Sequence, residues 1–106
     1  MTDRPVPLMN AKRAEATIRA LALEPARVTV TFHAQDRMLE RGFSNRDLIN
    51  VLTTGQVLAQ PTLTERGEWK CKVVKRLRGS RDAGAVTLIA KGDRLIVVTM
   101  EWEDVR

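Results

Sequence analysis

The chain has one cysteine, one histidine and no tyrosine among its 106 residues. A lone Cys71 cannot form an internal disulfide, and with one histidine beside it there is no ligand set for a structural zinc site. Neither a metal nor a cofactor is expected. Long apolar runs are missing too: the stretch Leu95 to Val98 is far too short to cross a bilayer. The opening MTDRPVPLMN lacks the charged and then apolar blocks of a signal peptide. These absences predict a cytoplasmic protein with no membrane partner. Internal repeats, linkers and low-complexity tracts are absent as well.

What is present is enough for a modest core. A length of 106 residues is about one domain, and the 43% apolar content is near the globular average. Residues 1–9, with Pro5 and Pro7, read as a loose leader, and residues 10–106 as one domain. Net charge is +5, and its location says more than its size. Between Arg66 and Asp82 lie seven basic residues, Arg66, Lys70, Lys72, Lys75, Arg76, Arg78 and Arg81, against Glu68 and Asp82 alone. The remainder is neutral. Clustered positive charge attracts phosphates, which makes an RNA-type polyanion a natural partner. The same charge would also serve as a solvated edge strand that resists aggregation.

Spacing along the chain predicts an α+β fold. Asn10 is a good N-cap for a helix running to Ala22, with Ala14, Ile18, Leu21 and Ala22 at helical intervals. Glu24-Pro25 stops it. The alternation in Arg27 to Phe32 predicts a short strand, and His33 to Arg41 a second helix capped by Gly42. Ser44 with Asp47 forms a capping box for a third helix, with Leu48, Ile49, Val51 and Leu52 as its buried stripe, ended by Gly55. The rest predicts a three- to four-stranded antiparallel meander. Its strands are Gln56 to Gln60, Glu68 to Arg78, Ala85 to Lys91 after a turn holding Gly79, Ser80 and Gly84, and Arg94 to Trp102 after the Lys91-Gly92-Asp93 hairpin.

Strand alternation assigns the faces. Trp69, Cys71, Val73, Leu77 and an intruding Lys75 point one way, and Lys70, Lys72, Arg76 and Arg78 the other. In the last strand Ile96, Val98, Met100 and Trp102 form the expected apolar side, with Thr99, Glu101 and Glu103 opposite. Helices on one side of this sheet would leave Lys70, Lys72, Arg76, Thr99 and Glu101 open to water. Glu101 there is either a proton acceptor or a neutralising partner for a lysine across the strands.

In the second helix His33, Asp36, Arg37, Glu40 and Arg41 share one face, while Ala34 and Met38 mark an apolar side. Asp36 lies over Glu40 and Arg37 over Arg41, which are like-charged pairs, so the stripe is poorly arranged for helix stability alone. Partners outside the helix are expected. His33 is either a hydrogen-bonded residue at the helix start or an acid–base group.

The run from His33 to Ser44 (HAQDRMLERGFS) resembles the signature of a bacterial domain family of unknown function. That signature reads His-x3-Arg-Met-x-Glu-Arg-Gly-Ile-[Ser/Thr], followed by an Asp-containing helix, a Val-Leu…Gly segment and a meander. Asp47, Val51, Leu52 and Gly55 fit it, and Phe43 replaces the isoleucine. The likeness covers about Val28 to Trp102. The family is similar in layout to the RelE-like and motility quorum-sensing regulator toxins, metal-independent endoribonucleases of toxin–antitoxin pairs. The strands Trp69 to Leu77 and Leu95 to Glu101 resemble those of the latter toxin.

This resemblance implies a type II toxin acting on RNA, including ribosome-bound mRNA, and held by an acidic cognate antitoxin. Metal-free cleavage needs the 2′-hydroxyl deprotonated, the phosphorane charge stabilised and the leaving oxygen protonated. Lys70, Lys72 and Arg76 are expected to handle phosphate, with His33 or Glu101 as the base. Arg37, Arg41 and Arg78 would support substrate binding, and Thr87 stands where a relative carries a tyrosine. The other class of function is a module that uses the same face to hold nucleic acid or an acidic protein without chemistry.

Overall fold

In a computed structural model, which describes residues 9–104, each helix starts where a side-chain oxygen takes an otherwise orphaned backbone N–H. Helix α1 (Ala11–Ala22) opens at Asn10, whose side chain accepts from the Arg13 N–H at 2.8 Å. Helix α2 (Phe32–Arg41) opens at Thr31, which accepts from the Ala34 N–H at 3.0 Å. It closes at Gly42 with φ 76°, a left-handed conformation that costs other residues about 1–2 kcal/mol. Helix α3 (Asn45–Thr54) carries the full capping box, Ser44 accepting from the Asp47 N–H and Asp47 from the Ser44 N–H. Apart from Met9, the expected leader lies outside the described residues.

The α+β class and the order helix, strand, two helices, meander are as expected. Strands β1 (Val28–Val30), β2 (Gln56–Val57), β3 (Thr62–Leu63), β4 (Trp69–Arg76), β5 (Asp82–Ala90) and β6 (Arg94–Trp102) form one sheet. Strands β4, β5 and β6 are the antiparallel meander. Strand β1 adds parallel to the outer edge of β6, and the short β2 and β3 both pair with the far edge of β4.

Helix α2 packs on β6, α3 on β4 and β5, and α1 on α3 and β2, so the core lies on one side of the sheet. Cys71 and Val73, then Ala83, Ala85 and Ile89, then Leu95, Val97, Met100 and Trp102 face inward against Ile18, Met38, Leu48, Val51 and Leu52. Burying a large aliphatic or methionine side chain stabilises by about 1.5–3 kcal/mol, which is why this face sets the register. Among the described residues no helix is long and apolar enough to cross a membrane.

Three departures from the sequence expectation bear on the open face of the sheet. Strand β4 ends at Arg76, and a turn over Arg78–Ser80 follows with Gly79 at φ 69°, so Arg78 is not on the strand. Strand β5 starts at Asp82, which places Gly84 inside it and not in the turn. A β-bulge opposite Val86 and Thr87 inserts one extra residue into β6. Strand parity therefore flips between Val97 and Thr99. Leu95 and Val97 are buried before the bulge, Met100 and Trp102 after it, while Ile96 and Val98 lie partly exposed on the side expected to be polar.

Candidate functional site

The helix-free side of the sheet presents Lys70, Lys72, Val74 and Arg76 from β4, Gly84, Val86 and Leu88 from β5, and Ile96, Thr99 and Glu101 from β6. Lys70, Lys72, Arg76 and Glu101 thus share one open face, as strand alternation requires. Along β4 the step from Lys70 to Arg76 spans roughly 20 Å at about 3.3 Å per residue. The face is not uniformly basic. Val86, Leu88, Ile96 and Val98 make an apolar strip across it, and the turn residues Thr64 to Arg66 wall a groove of about 520 Å³ over Leu88, Ile96 and Val98.

Lys72 sits at the centre. Its Nζ lies 2.8 Å from Glu103 Oε1 and 3.6 Å from Glu101 Oε2. In the ladder Lys72 pairs with Val86, and Val74 pairs with Gly84, which in turn pairs with Glu101. The Lys72 side chain must therefore cross β5 diagonally, and it does so over Gly84. A Cβ on Gly84 would fall 2.8 Å from Lys72 Cδ and 2.6 Å from Glu103 Oε2, so only glycine leaves the path open. The Glu103 hydrogen bond holds the Lys72 ammonium above the usual lysine range against the opposing effect of desolvation, with attraction to both carboxylates adding to it. Lys72 is therefore a permanent cation near neutral pH and no base. One ammonium between two carboxylates leaves the cluster with a single net negative charge.

The rest of the basic segment splits in three directions. Arg76 Nε meets Asp82 Oδ1 at 3.2 Å at the end of the open face, with Arg76 69% exposed. Arg81 bonds Asp104 through Nε at 2.9 Å and lies over the Trp102 ring at 4.3 Å. Arg78 turns to the start of α3, donating to Asp47 Oδ1 at 2.9 Å and to the Gly42 carbonyl at 2.8 Å. Its expected place on the open face is thus corrected: Arg78 ties the meander to two helix ends. Among the described residues Arg66, Lys70 and Lys75 form no ion pair, and Lys70 is the one of these on the β4 open face.

The signature run resolves mostly into architecture. Met38 is core, and Arg41 donates to the Met100 carbonyl at 2.7 Å while its own carbonyl accepts from Trp102 Nε1 at 3.0 Å. Gly42 caps α2, Phe43 stacks against Trp102 with centroids 4.3 Å apart, and Ser44 caps α3. The outside partner expected for the polar stripe exists for Arg41, on β6. Arg37 instead bonds Glu40 within the helix at 2.7 Å. Neither arginine reaches the Lys72 cluster. His33 is exposed on the first turn of α2 and makes no hydrogen bond among the described residues. Thr31, two residues before it, walls the groove and donates to the Val98 carbonyl at 3.3 Å.

Thr87 is placed elsewhere. It faces the core at 0% exposure, its hydroxyl donating to the Ala85 carbonyl at 3.2 Å, and no ligand on the open face can touch it. The bulge aligns it with Val97, an inward residue. Sequence reasoning missed Glu103 as a site residue and Gly84 as its clearance. Glu103 follows Glu101 by one strand period, and a glycine within a strand signals a close approach, so both signals were present. Among the described residues no group of three His, Cys, Asp or Glu side chains could hold a metal ion.

Comparison with known proteins finds one family, described as "Domain of unknown function (DUF4258)", which matches residues 30–102. No curated protein and no solved structure matches the chain.

Proposed function

The chain belongs to the DUF4258 family, and on that premise we propose that it is a metal-independent endoribonuclease, the toxin of a type II toxin–antitoxin pair. The observation that carries this reading is the open sheet face. There the carboxylate of Glu101, whose side chain is 39% exposed, stands 3.6 Å from the Lys72 ammonium, and Lys70 and Arg76 lie on the same strand as Lys72. Single-stranded RNA laid along β4 would rest its phosphates on Lys70 and Arg76. The Arg76–Asp82 pair is exposed, and such pairs contribute only about 0–1 kcal/mol, so a phosphate displaces Asp82 readily.

In this reading Glu101 takes the 2′-hydroxyl proton, and the 2′-oxygen attacks the adjacent phosphorus. The bond to the 5′-oxygen breaks, leaving a 2′,3′-cyclic phosphate. As Glu101 becomes neutral, Lys72 loses one partner and its freed N–H turns to the phosphorane, where fixed cations act most strongly. The leaving 5′-oxygen takes its proton from His33 or from solvent, histidine being the usual group for such transfers.

The test is incubation of purified full-length protein with single-stranded RNA in EDTA, with and without ribosomes. Cyclic-phosphate ends are expected from wild type, and Glu101→Gln should lower the rate by about 10²–10⁴-fold. Lys70→Ala and Arg76→Ala should each reduce the salt slope of RNA binding by about 0.7. His33→Ala separates the two sources of the leaving-group proton. RNA left equally intact by wild type and variants refutes cleavage, and salt-dependent binding without product would make this face a holding module instead. Growth arrest on expression, relieved by an acidic partner chain, tests the toxin assignment.

A further inference from the structure

Glu103 is the most enclosed group of the central cluster and the one that no part of the proposed chemistry uses. Its side chain is 24% exposed against 39% for Glu101, and it makes the shorter contact to Lys72, 2.8 Å against 3.6 Å. Glu103 Oε1 takes the ammonium, while Oε2 is buried and accepts no hydrogen bond among the described residues. A buried acceptor without a donor is costly, so something must compensate for holding the carboxylate there. The compensation on the page is the charge-assisted bond to Lys72, made over the gap at Gly84.

We infer that Glu103 is the positioning residue of this site, drawing Lys72 across Gly84 and anchoring its ammonium beside Glu101. The inference rests on the ribonuclease reading for what the anchored ammonium does, but not for the anchoring itself. Two carboxylates around one lysine divide the labour. Glu101, the more exposed and more distant, is the one open to substrate. Glu103, the closer and more enclosed, keeps its hold on Lys72 and leaves the ammonium in place when Glu101 turns to substrate. Without it, Lys72 would have no fixed partner at that moment and would swing into solvent from β4, its charge lost to the reacting phosphate.

The experiment follows the Lys72 side-chain resonance by NMR in the full chain, in wild type, Glu103→Gln and Glu101→Gln. Both variants are near-isosteric at partly exposed positions. Lys72 is expected to titrate at lower pH in both, and lower in Glu103→Gln than in Glu101→Gln. Equal displacement, the reverse order, or no displacement in Glu103→Gln overturns the inference. In RNA cleavage Glu103→Gln should lower kcat about 10²-fold with KM unchanged, as a displaced catalytic group does, and Glu103→Asp should recover part of the loss. A displaced Lys72 with kcat at the wild-type level also overturns it. Should wild type leave RNA intact, the ribonuclease reading fails alone, because the NMR comparison decides the anchoring without any turnover.

Discussion

Replacing Gly84 and Gly55 by alanine sets two kinds of crowding against each other. At Gly55 the new Cβ would lie 2.5 Å from the Val51 carbonyl oxygen, 2.7 Å from Val73 Cγ1 and 2.9 Å from the Val74 carbonyl oxygen. Two of those atoms are backbone, fixed by α3 and β4, and cannot yield without moving an element. At Gly84 the Cβ would lie 2.6 Å from Glu103 Oε2, 2.8 Å from Lys72 Cδ and 3.0 Å from Glu103 Cδ. Those are ends of partly exposed side chains, which swing aside. Gly55→Ala should therefore destabilise by about 3 kcal/mol, the upper part of the overpacking range. For a domain of this size that lowers Tm by roughly 10–20 °C. Gly84→Ala loses the Lys72 path but gains about 0.5–1 kcal/mol from replacing glycine inside a strand, so its Tm should stay within a few degrees of wild type. Its Lys72 resonance should nonetheless resemble that of Glu103→Gln, and its cleavage rate should fall about 10²-fold. Thermal unfolding by circular dichroism, read beside the NMR titration, checks both halves. A Gly84→Ala protein as unstable as Gly55→Ala, or one with the wild-type Lys72 titration, refutes the argument that Lys72 and Glu103 fill the space over Gly84.

Cys71 is buried, and desolvation pushes its thiol up to about 11. The native protein at pH 8 should therefore resist a thiol-specific reagent that labels it at once in denaturant, and rapid native labelling would contradict this burial. The Asp47 carboxyl is held below its ordinary range, chiefly by the Arg78 hydrogen bond and next by the Ser44 N–H. A carboxyl with a lowered folded pKa contributes fully above its unfolded value of about 3.9, and that contribution is lost as pH falls through the folded value. Between pH 7 and pH 3 the urea midpoint of wild type should drop further than that of Asp47→Asn, and parallel drops would rule the linkage out. Arg41→Ala leaves the partly buried Met100 carbonyl without its donor and should cost about 1–3 kcal/mol. An unfolding midpoint unchanged by that substitution would show that the α2–β6 seam does not depend on this bond.

Much of the architecture is legible because its causes are local. Asn10, Ser44 with Asp47, and Gly42 each act on backbone groups within three or four residues, so the sequence alone determines where helices start and stop. Strand alternation in β4 is equally local, and it puts Lys70, Lys72 and Arg76 on one side without reference to any partner. The face of β6 is not local. The bulge depends on how β6 registers against Val86 and Thr87, and one extra residue breaks the alternation between Val97 and Thr99, which is why Ile96 and Val98 emerge on the side opposite to Met100 and Trp102.

The fate of charge was the least legible of all. A run of seven basic residues announces a positive segment, but the sequence cannot say which carboxylates will meet it. Asp47, 31 positions from Arg78, takes that arginine off the open face, and Glu103 and Glu101 close on Lys72 across two strands. The sequence by itself determined the helices, the meander and the side on which Lys70, Lys72 and Arg76 emerge, because side-chain caps and pleat alternation act over a few bonds. Only the tertiary structure decided which of those cations stay uncompensated, because ion pairing depends on distance in space, and that distance is set when the strands register and Gly84 leaves room for one side chain to cross.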